Sequence, residues 1–398
     1  MWYTARMKRV LLPFVAWFGA VSLAAAQLPT LNPPRGWKTA EGQAFQGTLM
    51  EFDGTTVTLR MPNGSRAQAP ATKLSAEDQA YLVEWQKKQP VKFVMPDVVG
   101  VESANLKTEV VSEDEAGEKY VYRTTHFEYE SPGKFNQSLL REVGRNFEAT
   151  YELVKALPWG VEPKPAEGAY FKARLFKTKE AYYAAGNPPN SGGVYKGGEG
   201  TFYVPLENIG VKLVGKSYAK NDDFRYDTMV HELTHEMMND WLRSLPQWVV
   251  EGTAEYTSTL PLKTGKFRVS AAKNGIKDYV EFLKKRAVGG MPEPYPLEKL
   301  FKVTGAEWNN ILAETPEMSH RLYFTSYLLV YYFMHLDGAG DAQRFVRYFR
   351  EVGELRKKNP NMDDAAAQSA LAILLDGRTE AELMKQIRSS YMKLGIRL

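Results

Sequence analysis

An α+β fold, rich in strands in its first half and mostly helical in its second, is predicted from two observations on this 398-residue chain. Stretches of strand composition gather before about residue 205, whereas apolar residues at helical spacing dominate beyond Asp222. With 44% hydrophobic and 25% charged residues, the chain has the material for two or three cored domains and is not a disordered or fibrous composition.

Residues 1–26 read as a cleaved secretory signal peptide. Arg6, Lys8 and Arg9 precede an apolar run from Val10 that ends in Ala24-Ala25-Ala26 before Gln27. The run is shorter than the roughly 20 residues a membrane span needs and is broken by Pro13, Gly19 and Ser22, so no stable membrane anchor is expected. The expected location is secreted or periplasmic. The formal charge is +4, and the leader holds three basic residues and no acidic one, which leaves the mature chain near +1. That balance gives no electrostatic motive for nucleic-acid binding. The absence of cysteine excludes a disulfide framework, thiolate metal ligands, a cysteine nucleophile and the acylated cysteine of a lipoprotein.

Residues 27–34 hold three prolines and read as a linker. From 35 to 89 the pattern is that of a small β unit: Phe45 to Phe52, an Asp53-Gly54 turn, alternating Val57, Leu59 and Met61, then an Asn63-Gly64 turn. Ser75 and Asp78, spaced as a capping box, start a short helix through Tyr81, Leu82 and Trp85. Arg35-Gly36-Trp37, Gly42, Gly47, Val57-Thr58-Leu59, Gly64, Pro70 and Leu74-Ser75 through Asp78 together resemble an SH3-like family, the Sla-type homology-one domain. The resemblance implies a small SH3-like β-barrel that serves as an accessory domain for a protein or envelope partner.

Residues 90–398 form the second expected domain. Tyr120 to Glu130 has strand composition, Leu140, Val143, Phe147, Tyr151 and Val154 recur at helical spacing, and Phe171 to Phe176 and Thr201 to Val204 read as strands. The glycine-rich stretch from Gly192-Gly193 to Gly200 lacks the Lys-Ser/Thr helix start of a phosphate loop and reads as a hairpin beside a cleft. Helices are expected near Gln247 to Thr257, Ile276 to Arg286, Ser319 to Met334, Arg344 to Val352 and Glu380 to Leu394.

The residues that carry chemistry are His231-Glu232-Leu233-Thr234-His235, within a helical pattern running from Asp222-Asp223 to Leu242. Histidines four apart on a helix project from one face, so two imidazole nitrogens can meet one zinc ion. Glu232 then leans toward the position where a water would bind, as the general base of a metal-assisted hydrolysis. After Pro246 the string from Gln247 to Tyr256 reads as a second helix, which carries Glu251 and Glu255 and has room to turn back onto the first. His126 and His335 have no partner motif and read as structural.

The His-Glu-Leu-Thr-His helix, the Pro-x-Trp-x-x-Glu-Gly-x-Ala-x-Tyr segment from Pro246 to Tyr256 and the tyrosine-rich helix from Tyr323 resemble the gluzincin metallopeptidases, specifically the peptidase MA-like group. The resemblance spans roughly residues 100 to 395. It implies one zinc per chain on His231, His235 and Glu251, with Glu255 as the alternative third ligand or as the acid that orients an imidazole. Glu232 takes the general-base role and Tyr323 that of oxyanion donor, with Tyr327, His320 and Tyr256 as rivals. The expected function is exported, zinc-dependent hydrolysis of a peptide or protein substrate. The alternatives are a zinc amidase acting on a non-protein amide and an envelope binding protein whose zinc is structural.

Overall fold

The computed structural model describes residues 34–63, 65–87, 95–189, 191–215, 217–221, 224–286 and 293–398. The expected leader, the linker up to residue 33 and the junction at Pro90 lie outside these residues, as do Gly64 and the Asp222-Asp223 pair.

Four strands, β1 (Arg35–Lys38), β2 (Ala44–Phe52), β3 (Thr56–Arg60) and β4 (Arg66–Pro70), form an antiparallel meander in that order. Asp53 shapes the β2–β3 turn by accepting from the amides of Thr55 and Thr56 at 2.8 and 2.7 Å. Helix α1 (Ala76–Lys87) follows. Its cap residue Ser75 accepts from the Asp78 amide at 3.2 Å, while the Asp78 carboxylate reaches back to the Lys38 amide at 2.7 Å and so ties the helix to β1. Trp37, Leu49, Val57, Leu59 and Leu82 make a core of their own. The first and last strands do not pair with each other, so the expected barrel is not closed among the described residues.

The larger part is a mixed sheet with helices on it. Its elements begin with β5 (Val98–Gly100), β6 (Glu109–Asp114), β7 (Lys119–Arg123) and β8 (Phe127–Ser131). The segment from Tyr120 to Glu130, expected as strand from its composition, is the β7–β8 hairpin; the Thr124 amide donates to the Phe127 carbonyl and turns the chain. Then come α2 (Gln137–Ala156), β9 (Phe171–Phe176), α3 (Lys179–Ala184), β10 (Val194–Lys196) and β11 (Thr201–Pro205). The six-stranded order is β10-β11-β9-β8-β7-β6, with β8, β9 and β11 parallel and the rest antiparallel. Burial alternates along β8 and β9, so that Phe127, Tyr129, Phe171 and Ala173 face the core, where Phe147 of α2 packs against Phe127 and Tyr129. The glycine-rich stretch is the β10–β11 hairpin, as expected, and it leaves β10 as the sheet's edge.

A small hairpin, β12 (Val211–Val214) and β13 (Ser217–Lys220), precedes the helical half. That half comprises α4 (Asp227–Met237), α5 (Asn239–Leu242), α6 (Gln247–Ser258), the strands β14 (Leu262–Lys263) and β15 (Lys266–Arg268), and α7 (Ala272–Arg286). It continues with α8 (Leu297–Leu300), α9 (Gly305–Glu314), α10 (Pro316–His335), α11 (Gln343–Lys358), α12 (Asp364–Ala367), α13 (Leu371–Leu375) and α14 (Glu380–Lys393). The architecture is therefore α+β. β15 pairs with both β14 and β5, which straps the start of the larger part to the helical half. Among the described residues no helix is long and apolar enough to cross a membrane.

Candidate metal centre

α4 lies under the sheet's β10 end, with Met229, Val230, Leu233 and Met237 buried in the common core. That apolar stripe fixes the helix's rotation and leaves His231 and His235 on the opposite, partly open face. Their Nε2 atoms stand 3.1 Å apart. Between them Thr234 is fully buried, and its hydroxyl meets that of Thr257 on α6 at 2.7 Å, which fixes the two helices against each other.

α6 brings the third group. Gly252 permits this approach: a Cβ there would lie 2.5 Å from the Ser326 carbonyl oxygen of α10. α6 is therefore seated directly on α10, and Glu251, one position earlier, faces α4. Gln247, one turn before it, donates to Glu251 Oε1 at 2.8 Å. Glu251 Oε2, buried and without a hydrogen-bond partner among the described residues, points at the two imidazoles, 3.3 Å from His231 Nε2 and 3.5 Å from His235 Nε2.

The three atoms thus form a nearly equilateral triangle with sides of 3.1, 3.3 and 3.5 Å. A tetrahedral ion bound at about 2.0–2.1 Å sets its donors about 3.3–3.4 Å apart, so the buried orphan oxygen and the two imidazoles fit such an ion. The His231, His235 and Glu251 group could hold a metal ion.

The electrostatics suit a cation. Burial works against charge on Glu251, but His235 and His231 outweigh it and hold the carboxyl far below its ordinary range. Burial likewise disfavours charge on His231, and the Glu251 and Glu255 carboxylates override it and raise the imidazole well above its usual value. Glu255 Oε1 stands 3.4 Å from His231 Nδ1, on the far side of the ring from Glu251. Glu251 therefore faces the two Nε2 atoms, and Glu255 stands behind one of the rings.

Glu232 projects toward β10, where its Oε2 accepts from the Tyr195 amide at 3.0 Å. Burial raises its pKa, and the two histidines and the Tyr195 amide oppose that rise. Tyr323 of α10 borders the same cleft, its ring 6.3 Å from that of His231 and braced edge-on by Trp308 at 5.4 Å. Burial, then the nearby Glu251, raise the Tyr323 pKa and keep its hydroxyl a donor. The rivals are placed differently. Tyr256 is buried against His335, its hydroxyl 2.9 Å from that ring's Nε2, and Tyr327 is buried and receives a bond from Thr259. His320 is exposed at the cleft's edge, one turn before Tyr323. His126 is away from the group, held by Glu148 at 2.6 Å and stacked on Tyr151.

His231, Glu232, Glu255, His320 and Tyr323 line a cleft of about 690 Å³, walled on one side by Ser191, Gly192 and Gly193 and on the other by Leu260 and α7. The sequence singles out neither the Tyr195 amide nor Gln247. Gln247 had a signal, since it stands one helical turn before Glu251. The backbone amide of Tyr195 had none, because which amide lies on a sheet's free edge depends on strand order.

No family model, curated protein or solved structure matches the chain.

Proposed function

We propose that this chain is an exported zinc metallopeptidase of gluzincin type, with zinc held by His231, His235 and Glu251. The observation that carries the reading is the buried, unpartnered Oε2 of Glu251 facing two imidazole nitrogens at tetrahedral spacing, with a second carboxylate, Glu232, beside them. Two imidazoles and one carboxylate are the donor set of a catalytic zinc, which leaves one position open. Bound there, zinc would acidify a water and polarise a carbonyl.

The chain's own residues supply the rest. Glu232 is the carboxylate poised to accept a proton from the attacking water and later to pass one to the leaving amine. Its anchorage to the Tyr195 amide sets its direction without consuming both oxygens. The Tyr323 hydroxyl donates to the developing oxyanion, an interaction worth about 3–4 kcal/mol at comparable single-donor sites. Gln247 holds Glu251 Oε1 and Glu255 backs His231, so the donors are set before the ion arrives. The substrate is a peptide or protein, and the N-terminal sheet with its helix is read as an SH3-like accessory module.

Elemental analysis together with casein and peptide-library hydrolysis, each with and without chelator, tests the reading. We expect close to one zinc per chain and chelator-sensitive cleavage. A protein that takes up no transition metal after incubation with zinc rules the reading out; zinc uptake without hydrolysis of any amide makes the site structural and the protein a binding protein.

A further inference from the structure

We propose that Tyr279 of α7 is a positioning residue for the metal centre, acting on His231 through Glu255. The inference rests on the zinc reading above and extends it to a helix that holds none of the proposed ligands.

α7 meets the end of α6 at a glycine. A Cβ on Gly275 would lie 2.4 Å from the Thr259 carbonyl oxygen, so only glycine lets α7 come this close. Residues four apart share a helix face. Moving one turn along α7 from Gly275 leads to Tyr279, and moving one turn back along α6 from Thr259 leads to Glu255. The close approach at Gly275 therefore sets Tyr279 opposite Glu255. Both border the cleft, where burial and then the Glu255 carboxylate hold the Tyr279 hydroxyl well above its ordinary pKa.

The tyrosine is itself held on two sides. Its ring meets Tyr327 edge-on at 5.0 Å and stacks with Phe324 at 6.4 Å, both on α10. Tyr327 is fixed in turn by the Thr259 hydroxyl at 2.7 Å, from the same residue against which Gly275 packs. A ring locked in this way leaves its hydroxyl one direction to point. With Tyr279 donating to it, Glu255 is steered toward His231 Nδ1, and the imidazole is turned so that Nε2 faces Glu251 and His235.

The test is zinc affinity by chelator competition on the full chain, for the wild type, Tyr279→Phe, Glu255→Gln and the double variant. Tyr279→Phe keeps the ring and its packing, and melting of the metal-free proteins checks that the fold is unchanged. We expect Glu255→Gln to weaken zinc binding by about 10- to 100-fold and Tyr279→Phe by about 10-fold. In the Glu255→Gln background the tyrosine substitution should have no further effect, because its route to His231 is already cut. If the wild type binds zinc and Tyr279→Phe binds it equally well, the inference falls and the zinc reading stands. If the two effects multiply in the double variant, Tyr279 does not act through Glu255 and the inference falls as well. If the wild type binds no zinc, the underlying reading fails and takes the inference with it.

Discussion

Glu232 and Glu251 are held by different partners, and that difference underlies the separate work proposed for them. Glu251 is bonded through one oxygen to Gln247 and directs the other at both imidazoles, whereas Glu232 is bonded to a backbone amide on β10. Glu232→Gln should therefore keep zinc while turnover falls on the order of 10²-fold or more, and Glu251→Ala should lose zinc and activity together. Zinc affinity and peptide hydrolysis measured side by side check both. Retention of zinc by Glu251→Ala with its loss in Glu255→Ala would transfer the ligand role to Glu255. Tyr323→Phe should lower kcat by about 10²–10³-fold with KM little changed, if its hydroxyl meets the oxyanion only in the transition state. A separate prediction concerns His335, which burial lowers to about 4 and which meets the Tyr256 hydroxyl. The unfolded chain binds this proton more tightly than the folded one. Stability is thus unpenalised above pH 6.5 and falls as pH drops toward 4, by about 3 kcal/mol in total. Denaturant unfolding at pH 7.5 and 4.5 should show a smaller acid loss in His335→Gln than in the wild type; parallel losses would clear His335 of any part in the acid sensitivity.

The pairing of α4 with α6, and of α6 with α10, is what turns three separated residues into a site. Two small features set it: the Thr234–Thr257 hydroxyl pair and the bare Cα of Gly252 against Ser326. Gly252→Ala should push α6 off α10, cost about 1–3 kcal/mol of stability and weaken metal binding in step, as thermal melting and chelator competition would show. If stability falls with zinc affinity unchanged, the packing of α6 on α10 does not set the site. The helices themselves were legible in the chain, because the four-residue spacing of His231 and His235 and the apolar stripe beneath them need only local geometry. The Phe171–Phe176 strand was legible for the same reason, its alternation being complete over six residues. What could not be read were turns without a marker residue and pairings between distant segments. The β7–β8 turn at Thr124 to His126 has neither glycine nor proline to mark it. α7 was visible as a helix, yet nothing in its own sequence says that Gly275 rests on Thr259. Closure of the N-terminal strands into a barrel likewise depended on a pairing that composition does not specify, and among the described residues the sheet is not closed.

The N-terminal unit meets the rest of the chain far from the proposed chemistry. Arg60 on β3 bonds to the Asp376 carbonyl and pairs with its carboxylate at 3.5 Å, and Arg347 of α11 lies over the Trp85 ring at 5.6 Å. Arg344 links Asp376 to Asp337, two residues past the end of α10, whereas Tyr323 lies twelve residues before that end, about 18 Å along the helix. A chain beginning at Val91 should accordingly keep its activity on small peptides while melting at a lower temperature, since the N-terminal unit braces α11 and the turn after α13. Soluble, zinc-loaded but inactive protein would show that this unit belongs to the site. The strap formed by β5 and β15 bears on the order in which the molecule is made. It joins Val99 to Phe267, closing a loop of roughly 170 residues, and so brings a large entropic cost that other interactions must first offset. The segment from Asp227 to Ser258, which holds every proposed ligand, has only to fold back on itself. On a ribosome the ligand-bearing helices can pair as soon as they emerge, while β5, made long before, waits for its partner strand. If the chain is exported unfolded, as proposed, it would repeat that order across the membrane, with metal capture able to precede the final closure.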